Sequence, residues 1–77
     1  MKTVYIQSKS KAAANRELKE GKTLLAYEFN FLTGDNQIPI NKDGGLENGT
    51  VIKIFEKYAQ GNPYAKSYGT WKDGKIA

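Results

Sequence analysis

Apolar and polar positions alternate most clearly over residues 23–32, where Leu25, Tyr27, Phe29 and Phe31 interleave with Leu24, Ala26, Glu28 and Asn30. A period of two is that of a strand, and the aromatic-rich stripe is expected to face the core. Residues 2–7 alternate in the same way, which predicts a strand with Val4 and Ile6 inward and Tyr5 outward. Between the two, residues 9–20 carry the strong helix formers Ala12, Ala13, Ala14 and Leu18. Ser8 or Ser10 stands where an N-cap belongs, and Gly21 stands where a left-handed C-cap does. Ala14 and Leu18 lie four apart on one face, so the buried side of this helix is narrow.

Beyond residue 32 the pattern weakens. Thr33, Gly34, Asp35 and Asn36 form a turn by composition, and residues 41–49 read as a loop rich in Gly, Asn and Asp. Residues 38–40, Ile-Pro-Ile, are expected to give at most a short edge strand, because Pro39 has no backbone N–H. Residues 50–72 then predict a β-hairpin reversing at Gly61-Asn62, two residues that accept the positive φ of a tight turn. In that register Tyr58 faces Ala65, Glu56 faces Ser67, Ile54 faces Gly69 and Ile52 faces Trp71, on a side that reads as core. The other side pairs Ala59 with Tyr64, Lys57 with Lys66, Phe55 with Tyr68, Lys53 with Thr70 and Val51 with Lys72. Asp73-Gly74 is a further turn signal, after which residues 75–77 either return as a short segment or fray.

These elements define an α+β domain in the order β-α-β-(β)-β-β, a single helix packed on a four- to five-stranded, mainly antiparallel sheet. At 77 residues the chain is one small domain, 1–77. One helix covers one face of such a sheet. The other face is left for water, a ligand or a second copy in a homodimer.

Composition narrows the chemistry. The chain has no cysteine and no histidine, which removes thiolate and imidazole metal sites, Ser-His and Cys-His nucleophile pairs, and the commonest general base. Neither an enzyme nor a cofactor or metal is expected. The longest apolar run is the four residues 24–27, far short of the roughly 20 that span a bilayer. With no apolar leader after Met1 and Lys2 either, a cytoplasmic protein is expected. The net charge of +4 is unevenly spread: residues 1–22 carry six basic and two acidic side chains, residues 23–50 one and four, and residues 51–77 five and two. Such polarity orients a molecule in the field of a polyanion or an acidic protein patch.

Three groups of residues are candidates for function. The outer hairpin face sets Lys53, Lys57, Lys66 and Lys72 among Phe55, Tyr64 and Tyr68, cations beside flat rings that suit phosphates and stackable bases. Ser8, Lys9, Ser10 and Lys11, at the expected helix start, are candidates for phosphate contacts. The oxygen-bearing side chains Asp35, Asn36, Asn41, Asp43, Glu47 and Asn48 lack the spacing of a calcium loop and are explained by turn chemistry. The expected function is therefore that of a non-enzymatic binding protein engaging nucleic acid, or a nucleic-acid-handling complex, through the basic-aromatic face. The alternative is a protein–protein interaction module, such as a small phage-type inhibitor of a host nuclease or defence complex, using the same rings as a hot spot.

Overall fold

The computed structural model describes residues 2–30, 34–59 and 62–77. Strand β1 (Thr3–Gln7) buries Val4 and Ile6 on one face, and helix α1 (Lys11–Lys19) follows. Its start is fixed by Ser10, an N-cap with extended backbone whose Oγ accepts the Ala13 N–H at 3.0 Å. Its end is a Schellman arrangement around Gly21 at φ +87°, in which Lys22 N donates to Glu17 O and Gly21 N to Leu18 O, each at 3.0 Å. Glycine at that φ spares the helix terminus the strain another side chain would meet.

The remaining chain is β2 (Leu24–Asn30), β3 (Gly34–Ile40), β4 (Val51–Ala59), β5 (Asn62–Lys72) and β6 (Lys75–Ile76). With β1 they form one curled mixed sheet in the order β3-β2-β1-β4-β5-β6. Neighbours are antiparallel except at the centre, where β1 and β4 run parallel from Thr3↔Val51 to Gln7↔Phe55. The α+β class stands, but the sheet has six strands rather than four or five, and its central pair is parallel. The added strands come from segments of weak pattern. Gly34, Asp35 and Asn36 belong to β3, which is longer than residues 38–40, and it lies at the edge of the sheet as Pro39 demands. Asp73 at φ 49° and Gly74 at φ 82° make the reversal into β6, two successive positive-φ residues matching the right-handed twist of the flanking strands.

Val4, Ile6, Ala26, Ile40, Ile52, Ile54, Trp71 and Ile76 meet Ala14 and Leu18 of the helix in the main core. The helix lies over β5 and β6. Asn15 fixes it there: its Nδ2 donates to Ile76 O and its Oδ1 accepts the Ile76 N–H, both at 2.8 Å, so one amide side chain pairs with β6. The loop before β4 is tied down by the same kind of chemistry. Asn41 Oδ1 accepts Asp43 N at 2.8 Å, Thr50 Oγ1 donates to Glu47 O at 2.7 Å, and Asn48 bonds Asp73 through both ends of its amide.

Two expectations, one of facing and one of register, are corrected. Strand β2 is turned over: Ala26 is fully buried and Leu24 packs on the main core, whereas Leu25 is 42% exposed and Tyr27 lies on the face away from the helix. The reason is the register Tyr5↔Tyr27, since cross-strand partners share a face and Val4 and Ile6 already claim the helix side of β1. Phe31, of the same stripe, lies outside the described residues. In the hairpin, Ile54 pairs with Ser67, Ile52 with Gly69, Lys53 with Tyr68 and Val51 with Thr70, displaced by two residues from the expected register. Tyr58 pairs with Pro63 and Ala59 with Asn62, so Asn62 belongs to the strand rather than to the reversal, while Gly61 and Gln60 lie outside the described residues. A displacement of two preserves faces, and Trp71 is buried as expected, at 1% exposure.

Candidate nucleic-acid interface

The face away from the helix is built by register. Gln37 on β3, Tyr27 on β2, Tyr5 on β1, Lys53 on β4 and Tyr68 on β5 are successive cross-strand partners, forming one row across five strands. Lys53 occupies the middle of its aromatic part. Its Nζ stands 5.6 Å from the Tyr5 ring centroid and 5.9 Å from that of Tyr68, within the reach of a cation–π contact. Tyr5 and Tyr27 are half-buried, and Tyr68 is 59% exposed. The row is therefore exposed at both ends, at Gln37 on β3 and at Tyr68 on β5.

Phe55, expected on this surface, is fully buried instead. It sits one row along, paired with Gln7 and Ala65, and meets the Tyr5 ring edge-on at 6.3 Å and 69°. It stands outside the main core, against the Tyr5 ring of the row. Two register irregularities flank Phe55. Lys66 is the extra residue between the pairs Ile54↔Ser67 and Phe55↔Ala65, and a compensating residue follows on β4 before Tyr58↔Pro63.

The irregularity also redistributes the charged side chains. Lys66 does not stand opposite Lys57. Its Nζ pairs with Glu56 Oε1 at 3.3 Å, and Glu56 is exposed rather than on the core side. Pairing of Phe55 with Ala65 gives Ala65 the face of Phe55, so alternation turns Tyr64, 64% exposed, to the side opposite Tyr68. Lys57 and Lys72 are exposed, and Lys72 stands across from Lys75 at the last turn. Of the seven residues expected here, Lys53 and Tyr68 form the centre, Lys57, Lys66 and Lys72 supply outlying charge, Phe55 lies beneath, and Tyr64 lies apart. Tyr5 and Tyr27 were missed. The outward position of Tyr5 is legible in the alternation, but its place beside Lys53 needs the parallel pairing of β1 with β4.

At the helix start the hydroxyls are engaged within the chain. Ser10 Oγ caps Ala13, Ser8 Oγ donates to Ser10 O at 3.2 Å, and Lys11 is half-buried with its stem beside Gly69. Lys9 is the exposed cation of the four. Among the described residues no cluster of three or more acidic, His or Cys side chains could hold a metal ion, and no helix is long and apolar enough to cross a membrane. The chain matches no family model, no curated protein and no solved structure.

Proposed function

We propose that the protein is a non-enzymatic, cytoplasmic binding protein that engages nucleic acid, or a complex that handles it, through the sheet face centred on Lys53. The observation that carries the reading is the Lys53 ammonium set between the rings of Tyr5 and Tyr68, with Lys57, Lys66 and Lys72 exposed further along the same two strands. Ring and cation together suit a ligand with flat bases on a charged backbone. The basic stretches at residues 1–22 and 51–77 draw such a ligand in by long-range attraction.

Fluorescence anisotropy with short DNA and RNA, single- and double-stranded, at two salt concentrations tests this. Affinity is expected to fall steeply as salt rises, because each phosphate neutralised releases condensed counterions. The double variant Lys57→Glu, Lys66→Glu should bind more weakly while melting within a few degrees of the parent, both side chains being exposed. Failure of every oligonucleotide to bind better than about 10⁻⁴ M at low salt, the weak end of non-specific binding, would end this reading. The protein-interaction reading draws on Tyr64, exposed on the side opposite Tyr68, and on Leu25, exposed beside Tyr27 on the row's own face. Salt-tolerant capture of a single protein partner, lost in Tyr64→Ala, is its signature.

A further inference from the structure

The geometry of the row points to one part of the ligand: we infer that Tyr68 stacks an unpaired base, so that the interface takes single-stranded nucleic acid in preference to duplex. The inference rests on the proposed nucleic-acid function and deepens it. Tyr68 has its partner Lys53 on one side, with Nζ 5.9 Å from the ring centroid, and Lys53 is held in turn by Tyr5 at 5.6 Å. Behind Tyr5 stands the fully buried Phe55. Ring, ammonium, ring and buried ring thus form a braced series whose exposed end is Tyr68. At 59% exposure that ring keeps a surface for one more flat group.

The chemistry of that group follows from its surroundings. A cation close to the ring favours an occupant that brings negative charge nearby, as a nucleotide's phosphate does, and Lys57 and Lys72 are exposed to receive phosphates on either side. In a duplex the base faces are covered by their neighbours in the stack. Only a strand whose bases are free of that stack can present one to a ring at the protein surface. Stacking reads the base and not the sugar, so the same site serves DNA and RNA.

Anisotropy titrations of dT20, rU20 and a 20-base-pair duplex at fixed salt, with Tyr68→Ala, Tyr68→Thr and Tyr68→Phe, provide the test. Thr keeps a strand-favouring side chain in case Ala impairs folding. Expected are tighter binding of dT20 than duplex by about tenfold or more, a similar loss of dT20 affinity in Ala and Thr, and retention in Phe, which keeps the ring. Equal affinity for dT20 and rU20 within a few-fold agrees with a base contact. Duplex binding as tight as dT20, unchanged affinity in Tyr68→Ala or Tyr68→Thr, loss in Tyr68→Phe, or a tenfold preference for either sugar would each overturn the stacking inference while leaving a charge-based nucleic-acid function intact. Absence of binding by all three probes would overturn both.

Discussion

Phe55 and Tyr68 are both aromatic, both on the hairpin and both expected at its surface, yet the structure buries one completely and leaves the other more than half exposed. Their truncation should separate accordingly. Phe55→Ala removes a filled site and is expected to cost about 3–5 kcal/mol in chemical denaturation. Tyr68→Ala should change stability by about 0.5 kcal/mol or less, its effect reserved for binding. Equal losses at the two positions would show that the face is a structural core rather than a docking surface. Gly74 carries a different constraint. A Cβ there would collide with Lys42 O, on a backbone at φ 82°. Gly74→Ala is therefore expected to cost about 2–4 kcal/mol, or to prevent folding, because the neighbour is backbone and the conformation itself is strained. A melting temperature unchanged from the parent would contradict that contact.

Elements that contain their own instructions were legible in the chain. The cap at Ser10, the stop at Gly21, the alternation of residues 2–7 and the turn at Asp73-Gly74 are each set by a few neighbouring residues. Facing and register were less accessible because they depend on partners far away in sequence. The stripe of Leu25, Tyr27 and Phe29 is the more apolar, yet Leu24 and Ala26 take the core side because Tyr27 meets Tyr5. The irregularities around Phe55 leave no turn or glycine signature, so a regular ladder was expected there. Of the candidate interface, the shared face of Lys53 and Tyr68 could be read from the hairpin alone, whereas the place of Tyr5 beside Lys53 could not. Elements also differ in how they are held. Strand β6 has two residues, and on its outer side its backbone bonds go to one side chain, that of Asn15. Asn15→Leu leaves the Ile76 N–H and C=O without those partners and is expected to cost about 1–3 kcal/mol. Hydrogen exchange localises the effect: the Ile76 amide should lose protection while the β1 and β4 amides change only with global stability.

The whole molecule joins two differently furnished faces within extents of 32 × 22 × 19 Å. One is aliphatic, closed by the helix around Trp71. The other is aromatic, with Phe55 buried against Tyr5 and Tyr68 exposed. Their common wall is the parallel pair at the middle of the sheet, where Thr3 meets Val51 and Gln7 meets Phe55. Such a wall joins positions 48 apart in sequence, and that separation governs how the protein is made. A chain truncated at residue 50 holds a helix, the β2–β3 pair and no centre to attach them to, so it should remain protease-sensitive. Protection should arrive abruptly, once the chain extends beyond residue 59 and the middle strand can lie beside the first.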